Sequence, residues 1–224
     1  MLRKYPLVTG EIYHVMNKSI EGYKIFNRPE DYQRMMRLLR YFSLRKPPMK
    51  FSFFLERSPD VQRDGFEAAV QELALEDGQL VQIIAYCLMP SHIHIVVRQL
   101  QKGGVVNFLR KSLNGYARYF NTKYKRKGTL WMSRFKNVIV DTDEQSLHLT
   151  RYVHLNPVTA GLVSRADDWV YSSYLEYVAK SNVLYPLIKT DGLFDMTPRQ
   201  YRNFVEDHAD FQRQLAIIKH QILE

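Results

Sequence analysis

The chain has 224 residues, 46% of them hydrophobic, which is ample for one globular domain with a real core and tight for two. No apolar run approaches the ~20 residues that cross a bilayer, the first residues lack the apolar stretch of a signal peptide, and the single cysteine, Cys87, rules out an intrachain disulfide, so a cytoplasmic protein with no membrane partner is the default. The net charge of +9 is localised: residues 101–140 hold ten Lys/Arg and no acid, the electrostatic footprint of a polyanion site.

Gly10–Asn17 alternates Ile12, His14 and Met16 against Tyr13 and Val15, which predicts a first strand. Pro29, Glu30 and Asp31 suit the first turn of a helix, and Tyr32, Met35, Met36, Leu39 and Phe42 follow at helical spacing up to Pro47-Pro48. Residues 49–80 read as an insertion. Met49–Leu55 suits a strand or a short helix, and Asp60–Asp77 has a weak helical period ending at Gly78. Leu80–Leu88 is a buried strand, and after Met89-Pro90-Ser91 comes a second one, so short a connection implying an antiparallel pair.

That second strand carries His92 and His94 one residue apart. Strand side chains alternate, so both rings share a face while Ile93, Ile95 and Val97 line the other. Two imidazoles on one face of a rigid strand are half of a divalent-metal site; a chance pair on a solvated face is the plain alternative.

Gly103-Gly104 opens the basic block. Val105, Leu109, Leu113, Tyr116 and Phe120 form an apolar helix stripe, with Arg110, Lys111 and Arg118 off it. Lys123, Tyr124, Lys125, Arg126 and Lys127 follow, then Trp131 and Arg134 after Gly128. Basic residues interleaved with aromatics hold phosphates and stack unpaired bases, and Tyr124 and Trp131 are the better stacking candidates. Phe135–Val140 reads as a strand. Thr142-Asp143-Glu144-Gln145 has the form of a capping box, and the helix it starts is expected to finish by Asn156, because Pro157 disfavours helix in the residue before it. His148, Tyr152 and Asn156 stand on one stripe of that helix, of types that attack phosphorus or ligate a metal; a buried tyrosine with a satisfied hydroxyl is the alternative for Tyr152. Trp169 and Tyr171 are expected to pack.

Tyr86–Val97 with its Met-Pro-Ser-His-Ile-His core, Tyr116–Asn121, Gly128–Phe135, and Arg151–Pro157 through Gly161-Leu162-Val163 occur in the order found in the single-tyrosine HUH transposases. Over about residues 8–178 the chain resembles this family, most of all the REP-associated tyrosine transposases of IS200 type. The resemblance implies an α+β fold with a ferredoxin-like core, an antiparallel central sheet, and the tyrosine helix packed on it. It implies a domain over 1–178; residues 179–224 depart from the family core and read as a helical C-terminal extension. It also implies an enzyme that nicks single-stranded DNA at or beside a hairpin and rejoins it through a 5′-phosphotyrosine bond. Tyr152 would be the nucleophile, and His92, His94 and Asn156 would hold Mg²⁺ or Mn²⁺, with Zn²⁺ also open. His148, His154 and Arg151 are candidates to assist the phenol. The DNA would lie along Arg110, Lys111, Arg118, Lys123, Tyr124, Lys125, Arg126, Lys127, Trp131 and Arg134. Two rivals stand beside this reading: a catalytically idle hairpin DNA- or RNA-binding regulator on the same fold, and an RNA-acting metal nuclease. The tail, with Thr197-Pro198 as a helix start and Tyr201, Phe204, Val205, His208, Phe211, Leu215 and Ile218 at helical spacing, is open to packing on the core, touching DNA, or pairing two copies as a homodimer.

Overall fold

The computed structural model describes residues 7–179, 184–189 and 194–207. Strand β1 (Ile12–Lys18) alternates as its sequence implies. Tyr13 and Val15 join one core and Ile12 another on the opposite face of the sheet. It lies between β3 (His92–Gln99) and β4 (Lys136–Val140), antiparallel to both, while β2 (Val81–Met89) pairs with the far edge of β3. The spatial order β2-β3-β1-β4, with helices between β1 and β2 and between β3 and β4, is the ferredoxin-like arrangement that the family resemblance implies.

Helix α1 (Pro29–Phe42) starts on its proline, and the Asp31 carboxylate turns back to accept from the backbone N–H groups of Asn27 and Arg28 at 3.0 and 3.1 Å. Helix α5 (Gly104–Lys123) follows β3 through Gly103, whose φ of 70° suits a residue without Cβ, and a Cβ on Gly104 would collide with the Leu80 carbonyl. Helices α1 and α5 cover one face of the sheet. Leu38, Leu39, Phe108, Leu109, Tyr116 and Phe120 bury themselves there against Ile93, Ile95 and Val97. The same Asp31 staples the two helices, accepting from Lys123 Nζ at 2.7 Å, Tyr119 Oη at 3.0 Å and Tyr124 Oη at 2.6 Å.

Residues 51–77 fold as three short helices: α2 (Phe51–Arg57), α3 (Pro59–Asp64) and α4 (Phe66–Asp77). The stretch after Met49, open between strand and helix on sequence, is helical, because Phe51 and Phe54 then point together at Tyr41 and Phe66.

Helix α6 (Asp143–Thr159) covers the other sheet face, where Val153 packs with Ile84, Cys87, Met89, Val96 and Val140. Thr142 caps it as expected, its Oγ1 accepting from Gln145 N at 3.1 Å. The expected stop at Asn156 is corrected: the helix runs through Pro157 to Thr159. A proline this near the end removes a single donor, and Ala160 N to Asn156 O and Leu162 N to Pro157 O, both 2.9 Å, close the last turn regardless.

Residues 171–173 run along the outer edge of β2, with Leu88 N donating to Tyr171 O at 2.9 Å and Ser173 N to Tyr86 O at 3.0 Å, so that edge is covered. Trp169 donates to the Leu88 carbonyl and Tyr171 stacks on Tyr32 at 3.6 Å, as packing residues. After α7 (Tyr174–Val178), helix α8 (Pro198–Glu206) starts at a Thr197/Gln200 capping box and buries Tyr201 and Val205. Its sequence pattern from His208 onward lies outside the described residues.

Candidate active site

Met89 pairs directly with His92, so the two strands turn through Pro90-Ser91 alone and their register is set by that tight turn. His92, His94 and Val96 then face α6, while Ile93, Ile95 and Val97 enter the core beneath α1 and α5. On β1, the residues in phase with them are His14, Met16 and Lys18, with Met16 beside His94 and Lys18 beside His92. Lys136 of β4 lies next to Met16 on the same face.

Three imidazoles meet there. His14 Nε2 and His94 Nδ1 are 3.0 Å apart in a buried hydrogen bond, their rings stacked at 5.2 Å, and the His92 ring is 5.1 Å from His94. Burial pushes His14 down to about 4. Burial, then the charge of Lys18, takes His92 to about 4; burial, then His14, His92 and Lys18, takes His94 to about 3. All three are neutral at pH 7, and neutral rings carry the lone pairs a metal needs. His14 was absent from the sequence-derived site. Its in-phase position with Ile12 and Met16 was the only available signal, and it named no partner.

Helix α6 brings Tyr152 over this cluster. Its ring lies 5.9 Å from His94 and 6.1 Å from His14, edge-on to both, and the residue is 42% exposed. Asn156, one turn on, donates its Nδ2 to the Tyr152 carbonyl at 2.9 Å, which leaves its amide oxygen as a donor atom. His92, His94, Tyr152 and Asn156 therefore share one side of the sheet.

The three groups expected to assist Tyr152 are held elsewhere. Arg151 donates to His148 Nδ1 at 2.8 Å and lies 4.3 Å over the Phe204 ring of α8. His154 is fully buried between Ser173 Oγ and Tyr201 Oη, both at 2.7 Å, and burial takes it down to about 3. On this helix, α8 engages His148, Thr150, Arg151 and His154 and leaves the Tyr152 ring to the histidine face.

Among the described residues no group of three or more His, Cys, Asp or Glu is arranged to hold an ion by itself. Two neutral imidazoles and an amide oxygen are nonetheless ligand types that suit part of the shell of a hard or borderline cation.

The α5 part of the basic block lies on the opposite side of the sheet. Arg110, Lys111, Arg118 and Lys123 of α5, with Arg34 and Lys50 from α1 and the loop before α2, line a groove of about 1030 Å³ on the helical layer, away from the histidines. Arg34 and Lys50 were missed because they are remote from the block in sequence. Lys125, Lys127 and Arg134 are exposed between α5 and β4, and Arg126 reaches the Asn121 side chain and the Gly128 carbonyl. The expectation of open stacking platforms is corrected. Tyr124 packs on Phe120 at 4.5 Å with its hydroxyl on Asp31, and Trp131 donates to the Leu113 carbonyl at 3.0 Å beside Tyr116, so both rings serve the fold.

Residues 60–156, a span that holds His92, His94, Tyr152 and Asn156, match the family model described as Transposase IS200 like. A Haemophilus influenzae protein named as a REP-associated tyrosine transposase is 28% identical over 104 residues, 42% of this chain; the match spans 58% of that relative. A solved structure of a REP-associated tyrosine transposase bound to a REP hairpin superposes with a TM-score of 0.51 at 17% identity, covering 88% of this chain and 95% of the other, which establishes the shared fold. Along the described residues no helix is long and apolar enough to cross a membrane. The chain is thus similar to the REP-associated tyrosine transposases: its central stretch matches the IS200-like family model, and its fold is shared with a solved protein of that description.

Proposed function

We propose that the protein nicks and rejoins single-stranded DNA at or beside a hairpin, with Tyr152 as nucleophile. The observation that carries this reading is the Tyr152 ring standing 5.9 Å from His94 over a face of neutral imidazoles, exposed enough to meet a strand. In the reaction, the phenol oxygen bonds to the scissile phosphorus, the P–O3′ bond breaks, and the phenolic proton is lost to a base or water. The leaving 3′ oxygen takes up a proton. The 5′-phosphotyrosine keeps the energy of the phosphodiester, so a 3′-hydroxyl can reverse the step on the same or another strand. Lys18 and Lys136 put positive charge on this face, which draws in the phosphate. Mg²⁺ or Mn²⁺ held by His92, His94 and Asn156 would polarise the phosphate and offset charge on the leaving oxygen. Arg110, Lys111 and Arg118 would hold hairpin phosphates in the groove behind the sheet, a reading consistent with the hairpin bound by the structural relative.

The test is a denaturing gel for a protein–oligonucleotide adduct on hairpin DNA with single-stranded flanks, in Mn²⁺. The parent should give one and Tyr152→Phe none. Because Tyr152 is an exposed residue, Tyr152→Phe should be nearly neutral for stability, within about 0.5 kcal/mol. Adducts from both proteins would remove Tyr152 as nucleophile; adducts from neither, with binding intact, would favour a binding-only protein.

A further inference from the structure

We propose that His14 is a positioning residue for His94, accepting a hydrogen bond from His94 Nδ1–H and so keeping the His94 Nε2 lone pair open to the cation. The inference rests on the cation role given to His94 above, and goes beyond it by assigning a function to a residue outside the matched span of residues 60–156.

The argument begins with the cost of an imidazole at position 14. The residue is buried, in the middle of β1, between Val96 and Val138 on the neighbouring strands. A leucine would fill such a place without burying polar atoms, whereas a buried ring nitrogen needs a partner to offset its desolvation. That partner is His94 Nδ1 at 3.0 Å, reached across the strand pair from the diagonal position. Strand β1 is hydrogen-bonded on both sides, so the ring at position 14 stands on an interior, constrained backbone. A fixed ring can fix its neighbour.

The single proton of this bond has two placements. With the proton on His14 Nε2, His94 accepts at Nδ1 and carries its own proton on Nε2, so neither nitrogen of His94 is free to ligate. With the proton on His94 Nδ1, His14 accepts, and Nε2 of His94 keeps its lone pair. Only the second placement serves a metal, and it is the usual arrangement of a ligating histidine, whose other nitrogen donates to a fixed acceptor. The stacked rings, 21° from parallel, also restrict rotation of His94 about its own side-chain bonds.

Two measurements test this without relying on catalysis. Ring ¹⁵N spectra of the metal-free protein should show His94 protonated at Nδ1, and His14→Leu should move that proton to Nε2. A His94 that carries its proton on Nε2 in the parent overturns the proposal, whatever the fate of the catalytic reading. In calorimetric titration with Mn²⁺ and no DNA, His14→Leu should weaken binding ~10–100-fold, while His14→Gln, whose amide oxygen can accept the same bond, should stay within about threefold of the parent. Equal affinity in all three proteins, with binding lost in His94→Ala, overturns the positioning role and leaves the metal role of His94 standing. A ¹⁵N shift showing Zn²⁺ bound directly to His14 Nε2 would make it a ligand instead, and would also overturn the proposal. Matching thermal midpoints for the Gln and Leu variants separate positioning from loss of fold.

Discussion

Replacing Arg110, Lys111 and Arg118 together by glutamine should flatten the salt dependence of DNA binding by an amount the groove itself sets. Six cations line it. Two are discounted: Lys123 is paired with Asp31 at 2.7 Å, and the Arg34 guanidinium lies 4.6 Å over Phe51 and 5.1 Å over Tyr119. Lys50, Arg110, Lys111 and Arg118 remain. At ~0.9 counterion per neutralised phosphate on a duplex stem, four such contacts give a slope of about −3.6 in log K against log salt, or ~150-fold weaker binding from ~50 to ~200 mM salt. The triple variant should retain about −0.9 from these four, or ~3-fold over the same range; on single-stranded DNA at ~0.7 per contact the slope should change by ~2.1 instead of ~2.7. Fluorescence anisotropy with a labelled hairpin oligonucleotide across that range measures the slope directly. An unchanged slope refutes the assignment of the groove to DNA, and would shift the contact to the exposed Lys125, Lys127 and the histidine face.

Asp31→Asn should lower stability by ~3 kcal/mol, because an amide cannot accept all five hydrogen bonds that converge on the buried carboxylate, and one amide N–H₂ must face donors. Burial alone would raise this carboxyl, but hydrogen bonds from Lys123, Tyr124, the Asn27 backbone and Tyr119 hold it below the usual 3.8. Its contribution is therefore complete above that value and is lost as pH falls through the lower folded one. Denaturant melts should show an acid-induced loss below pH ~4 in the parent and a smaller one in the variant. Equal losses would contradict the staple between α1 and α5. Tyr201→Phe should cost ~1–2 kcal/mol by unpairing His154 Nδ1 and removing the bond that Thr150 Oγ1 accepts on α6, while the ring keeps its stack on Tyr177 at 4.4 Å. An unchanged thermal midpoint would mean that α8 does not brace the tyrosine helix through this hydroxyl.

Much of the site was legible along the chain because it is written in local periods. A two-residue repeat placed His92 and His94 on one face of β3, and a helical stripe joined Tyr152 to Asn156. Thr142 marked where the tyrosine helix starts from a side chain and an amide three residues apart. Its end was misjudged, since one missing donor at Pro157 weighs little against a buried last turn. Residue type also foretold that Cys87 would be buried and Tyr116 would belong to the core.

What the tertiary structure alone decided is which faces meet. His14 and His94 are eighty positions apart, and only the β1–β3 register brings their nitrogens to 3.0 Å. Arg34 and Lys50 join Arg110 and Arg118 because α1 and α5 lie side by side, and the basic groove and the histidines come to opposite faces because α5 and α6 cover opposite sides of one sheet. Periodicity assigns a side chain to a face of its own element. The neighbour across that face is chosen by strand pairing and layer packing, which depend on residues far away in the chain.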